Sequence, residues 1–406
     1  VPPKHLDAYR EAAGDEAVER FMEVARPLKG LRLVHLNSTA FGGGVAELLF
    51  THIGLLRDVG IDAEWQLIEG NDDFFAVTKA VHNGMQGAEV PWTRDMENTY
   101  LERMRANAAN FVHDWDVVFV HDPQPSAIRT ILAQEGDVKG TWIWRCHIDL
   151  SNTFRPVWDY FATHVEQYDA AIFTMADFVQ PGFSGPKIEI IAPSIDPLSP
   201  KNFPMDHEMV WDVVRRYGVD DHRPIALQVS RFDPWKDPNG VIDAYRLARD
   251  EVPGLQLVMI ASMANDDPEG WHYLEATEAH AQGDPDIHLL TNLQEVGNLE
   301  VNAFQRAATV VVQKSLREGF GLVVSEAMWK EKAVIGGNVG GIALQIEDGK
   351  TGFLVDSPEA CAKRMVELLN DRDLRASFGH EGRQTVRDKF LTLRELEDYL
   401  RLIASL

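Results

Sequence analysis

Short apolar runs, each closed by a glycine or polar turn and followed by a stretch with helical spacing, recur along the whole chain. This alternation restricts the fold more than any other feature, because a strand, a covering helix and a second strand return to one sheet in parallel. It predicts an α/β protein. The run Ala192-Pro-Ser-Ile-Asp-Pro-Leu-Ser-Pro200, with Pro204 soon after, obeys neither the helical nor the strand period and reads as a linker between two halves. The expected boundaries are 1–192 for a first domain, 193–204 for the linker, 205–390 for a second domain and 391–406 for a terminal helix that could pack back across the linker. With 406 residues, each half is long enough for its own core.

A formal net charge of −24 argues against a nucleic-acid or anionic-membrane surface, since either needs a basic face. An acidic chain that binds a phosphate group must instead place a few cations locally. Cys146 and Cys361 lie far apart, which leaves no disulfide framework or zinc-type cluster and fits a reducing compartment. Val1-Pro-Pro-Lys-His lacks the basic-then-apolar pattern of a secretory leader. No apolar run approaches the roughly 20 residues of a membrane span, so a cytoplasmic protein is expected.

In the first half, Tyr9 to Leu28 has helical spacing and Leu31 to Leu36 reads as the first strand. A glycine-rich turn, Asn37 to Gly44, leads into a helix from Val45 to Val59. Phe41-Gly-Gly-Gly-Val-Ala-Glu47 matches neither G-x-G-x-x-G nor G-x-x-x-x-G-K-[ST], so dinucleotide and ATPase readings lose their main support. Gly42, Gly43 and Gly44 suit close approach to a substrate, and equally a tight turn alone. The strand Val117 to Val120 ends in His121-Asp122-Pro123. Trp142 to Leu150, read as a strand, puts Arg145, His147 and Asp149 on one face and Trp144, Cys146 and Ile148 on the other. Three polar residues so grouped are cheap only where a strand opens into a cleft, which makes His147 and Asp149 site candidates. A buried, hydrogen-bonded histidine is the alternative.

In the second half, the strand Pro224 to Ser230 feeds Arg231-Phe-Asp-Pro-Trp-Lys-Asp-Pro238. There an arginine fork and the Lys236 point charge suit a diphosphate, although a pair of surface charges is the plainer reading. Beyond the strand ending at Leu290, the loop around Leu293 could seat a base. The run Thr309 to Gln313 passes through a polar turn into Glu318-Gly-Phe-Gly-Leu322 and a helix carrying Glu326. Gly319 and Gly321, with Phe320 and Leu322 in the same turn, let backbone N–H groups approach an anion, and the helix start favours phosphate. Glu318 and Glu326 offer a long ligand two separated carboxylates. Each alone also reads as a cap or a solvated helix residue. A second glycine turn, Gly340-Gly341-Ile342, follows the strand Ala333 to Gly337, and adjacent loops at strand C-termini form a crevice in open α/β sheets. Asp348 to Val355 reads as a hairpin and short strand. A phosphate flanked by hydroxyl-seeking carboxylates suggests a sugar nucleotide. Acidic pairs such as Asp72-Asp73, Asp266-Asp267 and Asp284-Pro-Asp286 have the right chemistry for a hard cation but read as turns. No residue is assigned to a metal, no tightly bound cofactor is expected, and the chemistry is expected not to require a metal.

Ser230 to Lys236, Glu318 and Glu326, Gly319-Phe-Gly321, Gly340-Gly341 and Asp348-Gly-Lys-Thr-Gly-Phe-Leu354 together resemble the retaining glycosyltransferases of family four, in the glycogen-synthase-like superfamily. The resemblance covers nearly the whole chain. It implies the GT-B fold, two Rossmann-like domains facing across a cleft. Asn37 to Glu47, Val120 to Pro125 and Trp144 to Ser151 further resemble the group of trehalose glycosyltransferring synthases, which join the glucose of a nucleoside-diphosphate glucose to free glucose. By that resemblance Arg231 and Lys236 hold the diphosphate, Glu326 takes ribose hydroxyls and Glu318 faces the donor sugar. His147 lies near the reacting sugar's 6-hydroxyl, the Gly42 to Gly44 loop lies by the diphosphate and acceptor, and Asp149 contacts the acceptor. Asp237-Pro238 departs from relatives that continue with glycine. Phosphorolysis of trehalose, transfer to another acceptor and a non-catalytic nucleotide-sugar sensor are the rival readings; Arg231, Lys236, Glu318 and Glu326, all intact, count against the sensor. The nucleotide base and a homodimer are left open.

Overall fold

A computed structural model describes residues 1–40, 43–112, 114–136, 138–262 and 268–406. The chain divides into two units, Val1–Pro193 with Thr392–Leu406, and Ser194–Leu391. Each is built on a six-stranded parallel sheet. The first unit has β1 (Arg32–Asn37), β2 (Asp62–Leu67), β3 (Val117–His121), β4 (Thr141–Arg145), β5 (Ala170–Phe173) and β6 (Lys187–Ile190), in the spatial order β2-β1-β3-β4-β5-β6. The second has β7 (Ile225–Val229), β8 (Gln256–Ala261), β9 (Ile287–Thr291), β10 (Val310–Gln313), β11 (Val334–Gly337) and β12 (Gly352–Val355), in the order β12-β11-β10-β7-β8-β9. Strands β3, β5, β7, β8, β10 and β11 are buried at every position, as parallel strands covered on both faces must be. That is why the sequence shows them as mostly apolar runs.

Winding reverses between β1 and β3 in the first unit and between β7 and β10 in the second. Open α/β sheets present ligand crevices beyond the strand C-termini at such points. The covering helices start where their sequences provide caps: Asn71 accepts from the Phe74 N–H at 3.1 Å, Thr93 from Met96 at 3.3 Å and Asp206 from Met209 at 2.8 Å. In the first unit Phe74, Tyr100, Trp142, Trp144, Phe161 and Phe173 pack into one core. Truncating any of these aromatics to alanine should cost roughly 3–5 kcal/mol. The helix Thr392–Ala404 completes this unit, packing on the helices Asp15–Ala25 and Gly44–Asp58.

The structure corrects three details. The helical stretch Tyr9 to Leu28 is broken at Gly14, whose φ of 91° belongs to neither flanking helix, Arg10–Ala13 or Asp15–Ala25. The hairpin expected at Asp348 to Val355 is a tight turn, after which β12 pairs in parallel with β11. Strand β4 ends at Arg145, so the alternation does not run on to Asp149. Among the described residues, no helix is long and apolar enough to cross a membrane.

Candidate active site

In the second unit the candidate side chains Arg231, Lys236 and Glu318 follow the C-terminal ends of β7 and β10. The loop after β7 turns through a short 3-10 helix, Pro234–Lys236, started by Asp233, which accepts from the Trp235 N–H at 2.8 Å. The Lys236 carbonyl accepts from Gln228 on β7 at 2.9 Å, and Lys236 Nζ donates to Glu318 Oε2 at 2.7 Å. Ser315 Oγ reaches the same oxygen at 3.1 Å. Arg231 keeps 43% of its side chain exposed, with Asp233 3.6 Å away. The next cation, Lys314, is buried and donates to Asp237, which also caps the helix Pro238–Arg249. Asp237 has a φ of 49°, a conformation in which many residues are strained but aspartate is tolerated.

The turn between β10 and its helix is held by packing as much as by sequence. Gly321 has a φ of 81° and precedes the helix Leu322–Trp329. A Cβ at Gly341 would collide with the backbone of Gly319 and Phe320, and one at Gly337 with the Ser315 carbonyl. The second glycine turn therefore lets the first lie against it. The Phe320 side chain is buried against Phe390, and its carbonyl accepts from Gln345 at 2.5 Å. Leu322 opens the helix and is half-buried. Glu326 is only 2% exposed; Gln305 donates to it at 3.0 Å, and Lys201 Nζ lies 3.8 Å off. Lys330 donates to the Glu326 carbonyl at 3.1 Å and to Asn202 at 2.7 Å, and burial lowers its ammonium to about 7. Leu293 follows β9 in a short 3-10 turn and is 59% exposed.

In the first unit the corresponding region is made of rings. His35 lies on β1, His121 ends β3 and His147 follows β4. Their nitrogens meet in series, His35 Nδ1 to His121 Nε2 at 2.8 Å and His121 Nδ1 to His147 Nε2 at 3.0 Å. Burial, then the nearby His52, lowers His35 to about 3. Burial, with Arg145 nearby, also holds His121 and His147 well below their usual range. Asp122, at a φ of 62°, accepts from the His147 backbone N–H at 2.7 Å. Burial pushes its carboxyl up to about 7. Asp149 is buried; one oxygen accepts from Ser151 N and Oγ at 2.9 and 2.6 Å, and the other has no protein partner.

Arg145 does not share an open face with His147. It is fully buried, with Nη2 4.0 Å from Glu395 on the helix Thr392–Ala404. Tyr399 donates to that carboxylate at 3.0 Å, and His52 lies 3.5 Å from it. Burial alone would raise Glu395, but His52, Arg145 and Arg394 overcome it and hold the carboxyl far below its ordinary value. Gly43 precedes the helix Gly44–Asp58, and a Cβ there would meet nothing within 4 Å, so the fold itself does not require that glycine. Phe41 and Gly42 lie outside the described residues, as do Asp266 and Asp267. His35, His121 and Glu395 were not singled out from sequence; the available signal was the occurrence of histidines on otherwise apolar strands. Among the described residues, no group of three or more His, Cys, Asp or Glu could hold a metal ion.

Comparison with known proteins identifies the family. Residues 35–180 match the family described as trehalose synthase, N-terminal domain, and residues 210–385 match glycosyl transferases group 1. A solved α,α-trehalose-phosphate synthase (UDP-forming) from Burkholderia xenovorans superposes with a TM-score of 0.75 at 14% identity, covering 92% of this chain and 100% of that one. Fold and family match together define a GT-B glycosyltransferase. The chain is 48% identical to the trehalose synthase of Rubrobacter xylanophilus, across 100% of this chain and 98% of that protein. Identity to the Thermococcus litoralis trehalose synthase is 46%, across 99% and 97%. The chain belongs to the trehalose synthase family.

Proposed function

We propose that this protein transfers glucose from a nucleoside-diphosphate glucose to free glucose with retention of configuration, giving α,α-trehalose. The observation that carries the reading is the Lys236–Glu318 pair at the β7/β10 switch point, 2.7 Å apart. An incoming diphosphate takes the lysine charge and frees Glu318, still beside Ser315, to accept from a sugar hydroxyl. The pair is thus a placeholder for a ligand that brings both an anion and hydroxyls. Arg231, exposed beside Asp233, adds a guanidinium fork for the same phosphates. Glu326 serves the ribose, the exposed Leu293 loop serves the base, and His147, Asp149 and the glycine turn before Gly44–Asp58 serve the sugars. Full-length likeness to proteins named trehalose synthase supports this choice of acceptor.

The demanding step is departure of the nucleoside diphosphate. As the bond from sugar C1 to the phosphate oxygen breaks, Lys236, Arg231 and the start of the helix Leu322–Trp329 stabilise the developing negative charge. The acceptor hydroxyl forms the new C1–O bond from the same face and gives its proton to a phosphate oxygen. This scheme uses protein groups and the substrate's own phosphate, with no bound cofactor and no metal. We place it in the cytoplasm, which suits the two free, buried thiols Cys146 and Cys361.

The direct test incubates the protein with glucose and, in turn, uridine-, adenosine- and guanosine-diphosphate glucose, with and without a chelator. Nucleotide and non-reducing disaccharide are followed together, and the product's anomeric configuration is read by NMR. Equal release of both, as α,α-trehalose and unaffected by the chelator, is expected. Nucleotide without disaccharide would reject free glucose as acceptor; loss of turnover with the chelator would reject the metal-free scheme.

A further inference from the structure

The three histidines of the first unit constrain one another. A neutral imidazole has one N–H and one lone pair, so the nitrogen that donates at one contact fixes the nitrogen that donates at the next. The contacts of 2.8 and 3.0 Å run from His35 through His121 to His147, and neighbouring rings stack with centroids 5.1 and 5.3 Å apart. Only two proton arrangements satisfy both contacts. In one, every N–H points toward β1 and the series ends on a His35 Nε2–H that is buried with no acceptor. In the other, every N–H points away from β1 and the series ends on a His35 Nε2 lone pair. Buried N–H groups without acceptors are rarer in folded proteins than under-used acceptors, so the second arrangement costs less. Burial favours the neutral rings that this logic requires, and the buried Arg145 cation beside His121 and His147 reinforces it.

We infer that His35 and His121 are positioning residues forming a tautomer relay, which fixes His147 as the Nδ1–H form and makes it a neutral hydrogen-bond donor to a ligand hydroxyl. His147 is the one ring of the three that is partly exposed, and its backbone N–H is anchored on Asp122, so the ring is both oriented and proton-set. The relay explains why two polar rings occupy otherwise apolar strands: the N–H presented at the surface end is decided at the buried end. The ligand assigned to His147 rests on the proposed sugar-transfer reading, whereas its tautomer does not.

The experiment is nitrogen-15 NMR of the histidine side chains in the ligand-free full chain at pH 7, with His147 assigned by the signal lost in His147→Gln. Expected are Nδ1–H forms for His35, His121 and His147. An Nε2–H or a doubly protonated His147 overturns the relay. His35→Met replaces the buried donor with a thioether that can only accept, so it should draw the His121 N–H toward β1 and shift His147 toward the Nε2–H form, with kcat about tenfold lower and KM for the sugar nucleotide little changed. His35→Asn, which retains an amide donor, should keep both as in the parent. If His147 stays a single Nδ1–H tautomer in His35→Met, the relay is refuted even if activity falls. If the tautomer shifts while kcat does not change, the relay stands and the role of His147 in sugar transfer is rejected.

Discussion

At the β7/β10 switch point of the second unit the candidate side chains are ions: Lys236 on Glu318, Arg231 near Asp233 and Lys314 on Asp237. At the β1/β3 switch point of the first unit they are rings in series, and the ion pair of Arg145 with Glu395 is buried between β4 and the helix Thr392–Ala404. The difference follows from what each place can exchange. An ion pair can trade its partner for a charged ligand at modest cost, because the ligand supplies the charge it displaces. Neutral rings cannot attract a diphosphate, but they can discriminate hydroxyls by direction. On the proposed reading, one parallel architecture carries a charge-exchanging site and a direction-reading site.

The largest effect that would sharpen this contrast is on turnover. Lys236→Ala should lower kcat/KM by about a thousandfold, roughly 4 kcal/mol of transition-state stabilisation, with a normal thermal transition. A drop below tenfold in steady-state kinetics would break the charge-exchange reading. In the first unit the charged pair is structural. Glu395→Gln leaves Arg145 buried without its counter-ion and should cost about 3 kcal/mol in denaturant unfolding. Because the Glu395 carboxyl is depressed in the folded state, its contribution is present above the ordinary carboxylate range and lost as pH falls below about 4. The variant should therefore lose the steep acid limb of the stability–pH curve; an unchanged limb would mean that other groups produce it.

Arg231→Ala should be milder, about thirtyfold in kcat or roughly 2 kcal/mol, because its side chain is half-exposed and Lys236 remains. Unchanged turnover would remove it from the site. An effect on stability alone is expected at Asp122. Its carboxyl, raised to about 7, contributes stability that is fully present below the unfolded value near 4 and lost as pH rises through 7. Asp122→Asn can still accept from the His147 N–H, so it should be more stable than the parent at pH 8 and indistinguishable from it at pH 4. Equal stability at both pH values would show that this buried carboxyl does not titrate on folding.

Most of the sheet order rests on strands that the sequence displays openly, since burial on both faces leaves an apolar run of four to six residues. The alternation through Arg145, His147 and Asp149 misleads because the ladder stops. Cys146 N–H still donates to Ile172 at 3.0 Å, but the His147 N–H goes to the Asp122 side chain, and the strand period ends there. The Lys236–Glu318 pair was legible as two separate loops; that they meet depends on β7 and β10 being neighbours. The burial of Glu326 depends on Gln305 and Lys201, which no local spacing brings to it. His35 and His121 acquire meaning only from registry, with Leu36 opposite Val120 and His121 opposite Arg145. No local pattern joins Glu395 to Arg145.

That last pairing sets an order on biosynthesis. The first unit is assembled from the beginning and the final helix of the chain, so a ribosome releases Arg145 long before the carboxylate that neutralises it. The second unit is continuous and can complete its core while the first still lacks Glu395 and Tyr399. The three-histidine series, next to the unneutralised cation, therefore reaches its final environment only after the helix Thr392–Ala404 has docked. Maturation of that ring series waits on a helix made about 240 residues later, although every histidine in it lies within the first 147 residues.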